Sequence, residues 1–255
     1  MRNEDCRIIW GESYTHTAVY AFYSPESRIK SRMNNCEYIA KHVSDTDESF
    51  SISDDEDLLD LLHLSKLRKL KWIEADTKFF VSIDGVLYDR EMKTLIRYPQ
   101  NKDGAVFTVP EGISTIEWYA FSGATHLTSI KLPGGTTEIG SRAFMNCTNL
   151  TKIEIPQTAT TIGSRAFSGC ASLVDICLPS SVFEIGHRAF SHCTSLERVN
   201  IPENVRHIPP RCFACCTNLR EVVCHSKLES IDYEAFDKCM KLAQEPSVIA
   251  NEKRE

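Results

Sequence analysis

The sequence is sparing with glycine and proline, 11 and 10 in 255 residues, which excludes a collagen-like or low-complexity chain. No run approaches the ~18 consecutive apolar residues of a membrane-spanning helix. There is no surplus of positive charge: 29 Lys and Arg against 35 Asp and Glu leave a formal net charge of −6. A duplex-binding surface needs concentrated positive charge, so nucleic acid is not an expected partner. Met1 to Tyr14 reads MRNEDCRIIWGESY and lacks the apolar core of a secretory signal; a cytoplasmic location is the expectation. No H-E-x-x-H pattern, phosphate-binding glycine loop or G-x-S-x-G elbow occurs. The expectation is a non-enzymatic chain without cofactor or metal. What is present, 42% hydrophobic and 25% charged residues, suffices for one long domain or two short ones.

From Ile116 the chain repeats every 23 residues. Isoleucine recurs at Ile116, Ile139, Ile162, Ile185, Ile208 and Ile231, and phenylalanine five places on, at Phe121, Phe144, Phe167, Phe190, Phe213 and Phe236. Alanine precedes the phenylalanine except at Cys212, and Leu127, Leu150, Leu173, Leu196, Leu219 and Leu242 complete the frame. Each unit then closes on an apolar–polar–apolar–Pro run such as Ile153-Glu154-Ile155-Pro156. That alternation is the period of a short strand, and proline stops it because it has no N–H to donate. One such unit cannot bury its own apolar side chains, whereas stacked units can. The pattern predicts a solenoid with one short parallel strand per repeat.

The units Ile139-Gly-Ser-Arg-Ala-Phe-Met-Asn-Cys147-Thr-Asn-Leu150 and Ile162-Gly-Ser-Arg-Ala-Phe-Ser-Gly-Cys170-Ala-Ser-Leu173 resemble BspA-like (Treponema-type) leucine-rich repeats. That family's unit runs I-G-x-x-A-F-x-x-C-x-x-L-x-x-I-x-I-P. Ser82 to Tyr88 and Leu95 to Pro99 are similar to the module that often leads such arrays. The resemblance implies an α/β leucine-rich-repeat solenoid serving as a binding scaffold, and, as an alternative, a cell-surface adhesin. It also implies that the column Cys147, Cys170, Cys193, Cys216 and Cys239 faces the interior as small apolar residues, a role Ala124 fills in the first unit.

The eleven cysteines invite two other readings. A thiol ladder could form disulfides or bind metal, and Cys212-Phe-Ala-Cys215-Cys216 with Cys224-His225 has the residue types of a structural zinc site. Register argues for packing, because Cys212, Cys216 and Cys224 each stand in an apolar column of the repeat. A nucleophile drawn from Cys6, His16, Cys36 or His42 has no supporting spacing.

Two columns are candidate partner-binding surfaces. The outward positions of the strands include Lys131, Lys152, Glu154, Asp175, Arg198, Asn200 and Glu221, a polar face of both signs suited to a protein partner. The fourth position of each unit reads Tyr119, Arg142, Arg165, Arg188, Arg211 and Glu234. This outer arginine strip could take acidic groups bidentately, or could be a solvated ladder balanced by Glu138 and Glu184.

Residues 1–78 do not repeat. Residues 1–43 are expected to be a small α+β region, with strands at Arg7–Trp10 and Thr17–Tyr23 and a helix at Asn35–His42. Residues 44–56 read as an acidic, solvated linker in which Ser53 could be phosphorylated. Residues 57–78 read as an amphipathic helix covering the open end of the solenoid. A leading hairpin and first repeat strand are expected over 79–115, the repeats over 116–242, and a polar tail over 243–255.

Overall fold

A computed structural model of the chain describes residues 48–52 and 67–242. The expected strands and helix of residues 1–43, and the tail at 243–255, lie outside the described residues.

From residue 115 to 223 every coil carries two short strands rather than the one expected. The first of each pair ends on the repeat isoleucine: β7 (Thr115–Ile116), β9 (Glu138–Ile139), β11 (Thr161–Ile162), β13 (Glu184–Ile185), β15 (His207–Ile208) and β17 (Ser230–Ile231). The second is the apolar–polar–apolar run: β6 (Val106–Thr108), which opens the array, then β8 (Ser129–Lys131), β10 (Lys152–Glu154), β12 (Asp175–Ile176), β14 (Arg198–Asn200) and β16 (Glu221–Val223). Pairing is parallel and steps by one repeat, Ile116 on Ile139 on Ile162 on Ile185 in one stack and Val106 on Ser129 on Lys152 in the other.

No helix occurs among the described residues, so the solenoid is an all-β one and the α component of the α/β expectation is corrected. The cause is local. Each unit places two residues in the left-handed region, the fourth (Arg142, φ 57°; Arg165, φ 56°; Arg188, φ 57°) and the eighth (Asn146, φ 59°; Gly169, φ 80°; His192, φ 63°). A left-handed residue ends a right-handed helix, so the segment from isoleucine to leucine becomes a chain of tight turns.

The phenylalanines stack face to face along the axis, with centroids 5.0 Å apart for Phe121–Phe144 and 5.4 Å for Phe167–Phe190. Tyr98 supplies the first rung, 5.2 Å from Phe121. The cysteine column lies beside this ladder, and each thiol donates to the carbonyl of the phenylalanine one coil back: Cys147 to Phe121 at 3.1 Å, Cys170 to Phe144 at 3.1 Å, Cys193 to Phe167 at 3.2 Å. Close stacking is also visible at glycine. A Cβ on Gly163 would lie 2.5 Å from the Ser141 nitrogen and 2.7 Å from the Gly140 carbonyl carbon of the preceding coil.

The amino-terminal end is built differently from the expectation. Ser49–Ile52, inside the expected acidic linker, forms β1 and pairs in parallel with β2 (Trp72–Ala75). The described part of the expected capping helix is therefore a turn followed by a strand, and residues 57–66 of it lie outside the described residues. Ile73 and Ala75 are buried while Trp72 and Glu74 are exposed. That period-two burial suits a strand, and β1 supplies the hydrogen bonds that a helix would have had to make internally. Ile52, Leu67, Leu70, Ile73, Phe80, Leu87 and Ile96 form a second apolar cluster there. β3 (Phe80–Ile83), β4 (Val86–Asp89) and β5 (Thr94–Arg97) are antiparallel neighbours, and β5 then pairs in parallel with β7.

Candidate partner-binding surfaces

The longer strands put all seven expected face residues, Lys131, Lys152, Glu154, Asp175, Arg198, Asn200 and Glu221, in solvent. Their pleat sends Ile130, Ile153, Ile176 and Val199 inward and the polar residues outward. Register brings Lys131 opposite Glu154, and Arg198 between Asp175 and Glu221. Lys152 Nζ meets Glu154 Oε1 at 2.9 Å, and Arg198 Nε meets Glu221 Oε2 at 2.9 Å. Hydrogen bonding and charge from Lys152, then the charge of Lys131, hold the Glu154 carboxyl below its ordinary range. The face is an alternating mosaic of both signs, edged by exposed Val106 and Val223.

The four arginines of the outer strip leave the coil from equivalent left-handed corners and are half-buried. Arg142 lies over the Tyr119 ring, 5.4 Å from its centroid, and Arg211 is ion-paired with Glu234. Burial, followed by the charges of Glu117 and Glu184, pushes the Glu138 carboxyl upward.

Cys212 and Cys216 are buried. Burial drives the Cys212 thiol well above its usual range; for Cys216 a hydrogen bond with Cys193 leads, then burial. Both are packed thiols. His225 Nδ1 accepts the Lys227 N–H at 3.1 Å, and no group of three His, Cys, Asp or Glu able to hold a metal is found among the described residues. Cys177 is the exposed cysteine of the strand face.

Arg97 escaped the sequence reading. Its guanidinium is fully buried and donates to the carbonyls of Tyr119 and Ser122, the latter at 3.3 Å. The leading coil reaches its aromatic rung three residues after Leu95, where a full unit takes five. The arginine side chain thus supplies donors at the edge where backbone of another coil would stand. The only available signal was an arginine between the apolar Ile96 and Tyr98.

Parallel ladders in 23-residue register around an aromatic and aliphatic core define a leucine-rich-repeat solenoid protein. Within that class, the family model for the BspA type leucine rich repeat region matches six copies, over residues 101–162 and 137–245. The chain belongs to the BspA type leucine-rich-repeat family. Among solved structures, it is similar to a leucine rich cell surface protein from Faecalibacterium prausnitzii A2-165, at 32% identity and a TM-score of 0.63, over 70% of this chain and 48% of that one. A leucine-rich repeat protein from Eubacterium ventriosum is 28% identical with a TM-score of 0.67, over 72% of this chain and 50% of that one. The Treponema pallidum leucine rich repeat protein is 29% identical with a TM-score of 0.50, over 66% and 90%. The chain spans about half the length of the first two. No curated protein matches.

Proposed function

We propose that this chain is a non-enzymatic protein-interaction module that presents the face of the longer strands to a protein partner. The observation that carries the reading is the alternating array Lys131/Glu154 and Asp175/Arg198/Glu221, held in register by the parallel ladders. A face already fixed by its scaffold loses little ordering entropy on binding. Its mixed charges favour a partner of complementary pattern over nucleic acid, which calls for a basic stripe with stacking rings. The test is the double variant Lys152→Glu/Arg198→Glu, compared with wild type in quantitative affinity capture from the native source. Proteins retained by wild type and lost by the variant, with unchanged thermal melting, are the expected outcome. An identical set of captured proteins overturns the assignment of the face.

A second reading, an adhesin at the cell surface, is supported by the description of the F. prausnitzii neighbour as a cell surface protein. No helix among the described residues is long and apolar enough to cross a membrane. Intact cells treated with a membrane-impermeant amine label decide between the locations. Tagging places the chain outside; tagging only after lysis favours the cytoplasmic alternative.

A further inference from the structure

We infer that the column Arg142, Arg165 and Arg188 binds the clustered carboxylates of an acidic peptide segment. The inference rests on the protein-binding reading but assigns a second, different surface to it.

The backbone gives the column its regularity. The three residues have φ of 57°, 56° and 57°, and the aromatic rungs beneath them repeat at 5.0 to 5.4 Å. Their side chains therefore start from equivalent points one rung apart. Local preference does not explain the residue type, since glycine and asparagine take the left-handed conformation with least strain. Gly140, Gly163 and Gly186 stand two places before each arginine, where a Cβ would meet the backbone of the preceding coil, so the coils stack closely beneath the column.

The molecule contains its own example of the ligand. Glu234 occupies the fourth position of the last unit, and its carboxylate accepts from Arg211 Nε. A protein carboxylate thus already sits on a guanidinium of this column. At the other end Arg142 is seated on the Tyr119 ring, which pre-orients it. Between them, His187 reports the local field: burial first, then Arg188, Arg165 and Arg211, lower its imidazole below the usual value.

An extended peptide places side chains of one face ~6.7 Å apart. Flexible Asp or Glu side chains close the difference to the rung spacing, and each guanidinium takes a carboxylate bidentately. The net charge of −6 opposes long-range attraction of a dense polyanion, so binding is local and sensitive to salt.

The experiment is fluorescence anisotropy of the full chain with a short fluorescein-labelled peptide alternating Glu and Thr. Saturable binding that weakens with added NaCl is expected. Arg142→Asn/Arg165→Asn/Arg188→Asn, which keeps a residue tolerant of the left-handed corner, should weaken it at least about tenfold with unchanged melting. Glu234→Gln releases Arg211 and should tighten binding about two- to fivefold; this gain keeps the inference testable should the triple variant misfold. Wild-type affinity in a folded triple variant overturns the inference, as does binding of heparin but not of the peptide. Lys152→Glu/Arg198→Glu is measured alongside. Loss of the peptide there, rather than in the arginine variants, overturns the arginine column while leaving the protein-binding reading intact.

Discussion

Phe167 is fully buried and stacked on both sides, 5.1 Å from Phe144 and 5.4 Å from Phe190. Its removal leaves a hole that two neighbouring coils cannot both collapse into. Phe167→Ala is expected to cost about 3–5 kcal/mol in urea denaturation; a loss below about 1 kcal/mol would mean that the ladder is not the core. Arg97 tests a different contribution. Burial pushes its guanidinium down to about 10, which still leaves it charged at neutral pH. Arg97→Met removes the charge and takes the guanidinium donor from the Ser122 carbonyl, while the Tyr119 carbonyl keeps the Ser122 N–H; an unsatisfied buried group costs about 1–3 kcal/mol. A stability equal to wild type would show that water or a backbone shift replaces it.

At the scale of elements, the ladders are governed by which residues can donate. The N–H groups of Gly140, Gly163 and Gly186 bond the carbonyls of Ile116, Ile139 and Ile162, each at 2.8 Å. In the next coil Pro209 occupies that place and has no N–H. There the seven-stranded sheet ends at β13, and β15 and β17 form a separate pair. Gly163→Ala tests the coil spacing, since its Cβ meets rigid backbone rather than a flexible side chain. Overpacking of this kind costs about 1–3 kcal/mol. An alanine variant as stable as wild type would show that adjacent coils separate easily.

For the whole molecule, the thiol column makes stability depend on pH. Burial pushes Cys147 up to about 12, whereas a thiol in the unfolded chain ionises near ~8.5. Below ~8.5 both states hold the proton and the stability contribution is complete. Between ~8.5 and the folded value the unfolded chain binds fewer protons than the native one, so stability falls as pH rises. The slope is about 1.4 kcal/mol per pH unit for each such thiol. Burial also raises Tyr98 to about 12, which adds loss of the same sign above ~10. Urea midpoints should be level from pH 6 to 8 and drop above ~9, with a shallower drop in Cys147→Ala/Cys170→Ala. A flat profile to pH 11 would mean that these thiols are not sealed from solvent.

The 23-residue spacing of isoleucine, phenylalanine and leucine determined the solenoid, its parallel register and its core columns. Such columns arise only if every coil is stacked the same way, so identity of spacing is identity of environment. The outward strand residues followed from the same alternation. Position in the repeat does not encode hydrogen-bond partners outside it. The fate of Ser49–Ile52 and Trp72–Ala75 depended on their meeting each other, which only the folded chain brings about. The isoleucine-ending strand of each coil is two residues long, too short for a pattern of its own; it exists because neighbours lie within hydrogen-bonding distance. Left-handed arginines and a buried Arg97 were likewise decided by tertiary structure, where the satisfaction of backbone groups outweighs the local preference of the residue.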